Sequence, residues 1–195
     1  MITPSHIIYS WAVAKASDSK PNKNRTLAIV TGSFLPDVPT YLFFFVHTFI
    51  LGTAQQTMWD KLYFNSAWSP LITLSHSLLL WPILVLLSML CKQKILLWVS
   101  TSATAHAVLD FFVHNDDAYR HFWPLSDWKF TSPVSYWDPV HFGTLFGLID
   151  FVVVILLLSW LHTQYTYKWT LRAIRSLMVL YVVITFTPLF FFIFN

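Results

Sequence analysis

The chain has 195 residues, of which 56% are hydrophobic and only 11% charged, and its mean hydropathy is +0.57. A soluble domain carries about 25% charged residues, so the composition excludes an ordinary soluble enzyme and points to a polytopic membrane protein. A net charge of +3, scattered along the chain, excludes an electrostatic nucleic-acid binder, and the single cysteine, Cys91, excludes an intramolecular disulfide or a thiolate metal site.

Residues 5–16 form an apolar segment that Thr3-Pro4 opens, with Pro4 near the first helical position. No basic stretch precedes it, so it is expected to be a retained helix rather than a cleaved signal. Residues 17–25 are a polar, basic connector. Residues 27–51 are apolar but interrupted by Gly32, Pro36 and Pro39. Two prolines three apart remove two helical hydrogen bonds, so an unwound or kinked span is expected, with Asp37 at the break. Residues 52–69 read as a loop with room for a short interfacial helix. Residues 71–91 read as an unbroken spanning helix, 92–94 as a tight turn and 95–114 as the return span. A long polar, aromatic loop occupies 115–140. Residues 141–162 and 173–194 are two further spans, joined by a turn at 163–172. The expected fold is therefore all-α: one membrane-embedded helical bundle over 1–195, of about five hydrophobic segments with a broken second segment.

The basic residues agree on an orientation. Lys15, Lys20, Lys23 and Arg25 flank one face, and Lys92 and Lys94 return to it after two crossings. Lys168, Arg172 and Arg175 do so after two more. Positive charge collects on the cytoplasmic side, which makes loops 52–69 and 115–140 extracytoplasmic. Trp123, Trp128, Tyr136 and Trp137 in the second loop suit a membrane–water interface.

Five polar residues stand in or at the edge of these spans: His6, Asp37, His76, His106 and Asp110. A charged group at the bilayer centre costs a few kcal/mol or more, so such residues turn inward and find partners. His and Asp are also ligands that Zn²⁺, Mn²⁺ and Fe²⁺ accept. On helix 95–114, His106, Asp110 and His114 follow at intervals of four, near one stripe. An H-x-x-x-D pair there serves equally as a metal ligand set or as a hydrogen-bonded structural pair. Measured from the turn at 92–94, His76 lies about 24 Å up one arm of the hairpin and His106 about 18 Å up the other, so the two can approach one level. Asp37, between two prolines, needs a partner, a cation or water. Asp150, with no polar neighbour at i±4, reads as structural. His141 is within reach of the long loop, and His47 and His162 read as interfacial.

The motifs S-H-I-I-Y-S at 5–10, F-L-P-D-V at 34–38, S-H-S-L-L at 75–79, A-H-A-V-L-D at 105–110 and F-W-P-L at 122–125 occur in an order that resembles the YdjM-like family of bacterial inner-membrane proteins, described as metal-dependent hydrolases. The resemblance runs to about residue 130 and rests on all five short motifs in order. It implies that His6, Asp37, His76, His106 and Asp110 ligate metal. Zinc-dependent phospholipase C and single-strand nucleases are more distantly similar, which implies phosphate-ester hydrolysis. Two departures stand out. Pro39 replaces the second acid of an L-P-D-x-D, and no histidine occurs in 52–69. His114, Asp116, Asp117 and His121 are available as replacements.

These expectations combine into one picture. One or two divalent metals, zinc first and manganese or iron as alternatives, sit toward the extracytoplasmic side. There they activate a water for an ester of a lipid or a membrane-delivered substrate. Asp110 or Asp37 is the bridging or orienting catalytic acid, and Arg120 and Lys129 hold a substrate phosphate. The bacterial inner membrane is the expected location. A transporter that conducts through Asp37 and Asp150, and a non-catalytic scaffold that docks through loop 115–140, are the rival expectations.

Overall fold

The computed structural model describes residues 1–17 and 22–194, the stretch 187–194 by backbone alone. Lys20 and the side chains of Phe190 to Phe194 lie outside the described residues. The described residues are mostly helical, 71% in helix, with no strand among them. The helices are α1 (Thr3–Ala16), α2 (Lys23–Phe34), α3 (Val38–Phe45), α4 (Gln55–Thr57), α5 (Ser69–Ser75), α6 (Leu80–Leu90), α7 (Lys94–Phe111), α8 (Gly143–Gln164) and α9 (Lys168–Phe194). In the packing, α7 lies between α2 and α6, α1 lies between α2 and α8, and α9 covers α8.

Three helical runs are long and apolar enough to cross a membrane: Lys23–Ile50, Gly143–Gln164 and Lys168–Phe186. Ser69–Ser75 with Leu80–Leu90 makes a fourth if the pair is counted as one bent span. Outward-facing residues of α6 and α8, such as Leu86, Leu90, Val152 and Leu156, are apolar and exposed, as a lipid-facing surface requires. By contrast α7 buries Ser100, Ser102, Ala103 and Ala107. Small residues let backbones approach closely, and Gly32 of α2 uses this: a Cβ there would lie 2.2 Å from the Val99 carbonyl oxygen of α7.

Contacts along the bundle set the levels. Arg25 lies over Trp98 at 4.6 Å, Ser102 bonds Ser10 at 3.2 Å, and Lys15 lies over Tyr165 at 5.2 Å. The start of α2, the start of α7 and the ends of α1 and α8 therefore share one end of the bundle. This places Lys15, Arg25, Lys94 and Lys168 together there, as the charge pattern implied.

Two expectations about helix continuity are reversed. The stretch 27–51 does not unwind at its prolines. Leu35–Asp37 tightens into a 3₁₀ turn, and Val38–Phe45 and a π turn at Val46–Ile50 continue the run. The segment 71–91 is the one that breaks, bending by 51° between α5 and α6. Side chains and the long loop satisfy the backbone freed at the break. Ser77 Oγ accepts the N–H groups of Leu79 and Leu80, Trp81 Nε1 donates to the Ser75 carbonyl, and Leu78 N–H donates to the His121 carbonyl. Such a break is tolerated inside a membrane where protein buries it. The turn at 92–94 is as expected, with Lys92 in the left-handed region at φ 54°. His47, near the end of its run, is buried: it packs on Phe43 and bonds Thr53 at 3.1 Å. His162 is paired with Arg175 at 3.2 Å.

Asp150 has the structural part its sequence context implied. Its carboxylate accepts hydroxyl bonds from Ser5 at 2.6 Å, Tyr9 at 2.5 Å, Tyr181 at 3.0 Å and Tyr136 at 3.1 Å. Four donors from α1, α9 and the long loop converge on one buried acid of α8, which fastens α1 into the bundle. Replacing it by alanine strands several buried hydroxyls, each at about 1–3 kcal/mol. Asp150→Ala protein in detergent is expected to melt well below wild type, and an unchanged melting temperature would show that the network contributes nothing.

Candidate metal centre

The four central residues reach the site from three different local devices. Asp37 ends the 3₁₀ turn that Pro36 and Pro39 enforce. His76 sits at the α5–α6 break. His106 and Asp110 project from successive turns of α7. One ligand atom from each of Asp37, His76, His106 and Asp110 lies within 4.8 Å of all the others, so the group can hold a metal ion. The three besides Asp37 are at most 2% exposed, and Asp37 is 9% exposed.

The spacing bears on the fit. A tetrahedral ion with bonds of about 2.0–2.1 Å places its ligand atoms about 3.3 Å apart. His76 Nε2 is 3.3 Å from Asp37 Oδ1 and 3.7 Å from Asp110 Oδ2, and His106 Nε2 is 3.7 and 3.2 Å from the same two atoms. The His106 Nε2 atom is buried without a hydrogen-bond partner among the described residues. Buried polar atoms are nearly always satisfied, so a nitrogen with no hydrogen-bond partner, aimed at two carboxylates, suits a cation.

The opposite edges of both rings are fixed by carbonyls. His106 Nδ1–H donates to the Ser33 carbonyl at 2.7 Å and His76 Nδ1–H to the Ile72 carbonyl at 2.9 Å. These bonds keep the proton on Nδ1 and turn Nε2 of each ring toward the carboxylates, the orientation that metal-binding histidines need. The ring of His76 also stacks on Tyr119 at 4.0 Å. Asp37 Oδ2 accepts from Thr3 Oγ1 at 2.5 Å, and Tyr41 donates to Thr3 in turn.

His6 joins through the other oxygen of Asp110. Its Nε2 is 3.1 Å from Asp110 Oδ1, and its ring stacks on His106 at 3.6 Å. The Met1 amine is 2.8 Å from that same oxygen, and His114 Nε2 is 3.5 Å from it. Asp110 thus faces one group of ligands with each oxygen. His6, Asp37, His76, His106 and Asp110, the five residues singled out in the sequence, meet at one place.

The outer candidates divide. His114 does not share the helical stripe, because α7 ends at Phe111. It returns over Asp110 as part of the long loop, held by Asp117 at 2.6 Å on Nδ1. Asp116 and Asp117 line the cavity above the site. His121 turns away and supports the break: its Nδ1–H donates to the His76 carbonyl at 2.6 Å. Burial pushes the His121 pKa down to about 4, against that bond, so its ring is neutral at pH 7. Arg120 and Lys129 do not line the cavity. Arg120 is taken by Asp127 at 3.0 Å and Ser69 at 3.2 Å, and Lys129 lies over the Phe64 ring at 4.4 Å. An arginine with two protein partners is not free to clamp a phosphate in the site.

The cavity has a volume of about 710 Å³, and Asp37 and Asp110 form part of its floor. Its walls include Tyr63 and Tyr119, whose hydroxyls bond each other at 2.9 Å. These tyrosines and Thr3 were not picked out from the sequence, because an isolated hydroxyl in an aromatic-rich chain has no distinguishing pattern. Compared with protein families, curated proteins and solved structures, the chain matches none.

Proposed function

We propose that the chain is a membrane-bound metal-dependent hydrolase of the YdjM-like kind, acting on phosphate or carboxylic esters at the membrane interface. The observation that carries this reading is the unpartnered His106 Nε2 beside Asp37, His76 and Asp110, two of which, Asp37 and Asp110, line a cavity large enough for a substrate. Two imidazoles and two carboxylates at near-tetrahedral spacing suit Zn²⁺ first, with Mn²⁺ or Fe²⁺ as alternatives. On its other side, the Asp110 carboxylate with His6 and His114 would hold a second ion.

A bound divalent ion supplies a water of lowered pKa and polarises an ester oxygen. The chain's own residues do the rest. Ser33 and Ile72 orient the two imidazoles through their carbonyls, and Thr3 holds Asp37. Asp110 takes up the positive charge at the floor. The aromatic walls restrict water and present an apolar face to an acyl chain or headgroup. We place the protein in a bacterial inner membrane as a bundle of about five hydrophobic segments, with the basic end cytoplasmic and the cavity extracytoplasmic.

Hydrolysis of bis(p-nitrophenyl) phosphate and p-nitrophenyl acetate by the purified protein tests this. Release of nitrophenol from one of the two should stop with a chelator, return with Zn²⁺, and be absent in Asp110→Asn protein. Turnover that a chelator leaves untouched would count against a metal-dependent reaction.

A further inference from the structure

Asp37, Asp110 and Asp150 are the buried carboxylates among the described residues, and Asp150 alone takes no part in the metal group. An ionisable residue kept at membrane depth is a functional candidate in its own right. It stands on α8, and neither α8 nor α9 supplies a ligand to that group. What Asp150 does reach is α1, where it accepts from Ser5 at 2.6 Å and from Tyr9 at 2.5 Å.

The same helix holds both acids of the metal group. Thr3 Oγ1 donates to Asp37 Oδ2 at 2.5 Å, and His6 Nε2 lies 3.1 Å from Asp110 Oδ1. The other oxygen of each acid, Asp37 Oδ1 and Asp110 Oδ2, faces His76 and His106 at 3.2 to 3.7 Å. Each carboxylate is therefore divided, one oxygen toward the two imidazoles and one toward α1, and a shift of α1 turns both. On the helix, Thr3 and His6 are three apart and share one face, while Ser5 and Tyr9 are four apart and share another. Asp150 thus grips α1 on a face of its own. Ser5 and His6 are adjacent in the chain, and a rigid helix passes a displacement at one straight to the other.

We propose that Asp150 is a positioning residue of the metal centre. Through Ser5 and Tyr9 it sets the place of α1, and α1 sets, through Thr3 and His6, how the Asp37 and Asp110 carboxylates are turned toward a bound ion. The last two helices then serve the centre without touching it. The effect on the ion rests on the metal reading above; the anchoring of α1 does not.

The test uses the full chain in detergent, stripped with a chelator and titrated with Zn²⁺ well below its melting temperature, so that loss of folded protein does not enter. Asp150→Asn should weaken Zn²⁺ binding about tenfold. Tyr9→Phe, which leaves the acid three of its four hydroxyl donors, should weaken it in the same direction and serves if Asp150→Asn protein fails to fold. In a Thr3→Val/His6→Ala background the path through α1 is already cut, so either substitution should change the affinity by less than about twofold. The loss of melting temperature should persist there. Unchanged Zn²⁺ affinity in both variants, or an equal loss in both backgrounds, overturns the proposal. A second arm follows hydrogen exchange in the metal-free protein. Asp150→Asn should speed exchange in α1 relative to α2 and α7, and equal protection of α1 in wild type and variant overturns the proposal. A wild type that takes up no Zn²⁺, with α1 loosened in the variant, overturns the metal reading and the positioning role with it, and leaves the anchoring of α1 standing.

Discussion

Protein purified in mild detergent is expected to hold at least one divalent ion tightly, and His106→Ala protein to lose it. The nitrogen removed is the one that stands within 3.7 Å of both Asp37 and Asp110 and has no other partner. Loss of a residue that merely orients a ligand costs about 10–100-fold in affinity, so loss of a ligand itself should reach or exceed about 100-fold. His76→Ala should behave alike, because its Nε2 holds the corresponding position on the other side. Stability should fall as well. Without His106, Asp110 loses a neighbour at 3.2 Å and His6 loses the ring it stacks on, and a buried carboxylate left short of partners is costly. His162→Ala is the control, since that side chain touches Arg175 at the far end of α8. Elemental analysis and melting temperature decide the matter. A His106→Ala protein with wild-type metal content would remove this group as the metal centre.

Gly32 should prove as sensitive as a ligand, although it touches none of them. A β-carbon there would stand 2.2 Å from the Val99 oxygen and 2.8 Å from its Cα. Both are backbone atoms of a buried helix and cannot swing aside. A side chain at this position must push α2 off α7. Ser33, the next residue, holds His106 through its carbonyl, and Asp37 follows on the same helical run. Separation of the two helices therefore dismantles the site as well as the packing. Overpacking in a close-packed interior costs about 1–3 kcal/mol and occasionally more. Gly32→Leu should lie at or beyond the top of that range, with Gly32→Ala already measurably destabilised. Both should bind metal more weakly than wild type. Wild-type melting and metal content in Gly32→Leu would mean that α2 and α7 do not approach as closely as described.

Much of this protein was legible before folding was considered. A chain with 11% charged residues cannot be an ordinary soluble domain. Inside apolar segments the cost of an imidazole or carboxylate is high enough that its presence marks a site. That consideration marks His6, Asp37, His76, His106 and Asp110 along with Asp150, and the structure brings the first five together. The outer residues were harder. Arg120 and Lys129 carry the right charge for a phosphate, but charge says nothing about partners, and Asp127, Ser69 and the Phe64 ring take them.

Backbone continuity was the other point of failure. Proline chemistry predicts a disruption at 36–39, yet the lost hydrogen bonds are absorbed by tightening into a 3₁₀ turn. The actual break, at His76–Leu79, follows a serine-flanked histidine that local propensity does not flag. It exists because Ser77, Trp81 and the His121 carbonyl, one of them 44 residues distant, satisfy the freed backbone.

Residue types and their depth in apolar segments thus determined which side chains must turn inward and find partners, because desolvation cost depends only on the group and its medium. Which nitrogen faces the carboxylates, how closely they approach, and what charge lines the space above them were decided by tertiary contacts. Ser33 meets His106 across 73 positions of sequence, and Met1 and His6 meet Asp110 across more than 100. No local pattern encodes a distance that only the packing of α1, α2 and α7 creates.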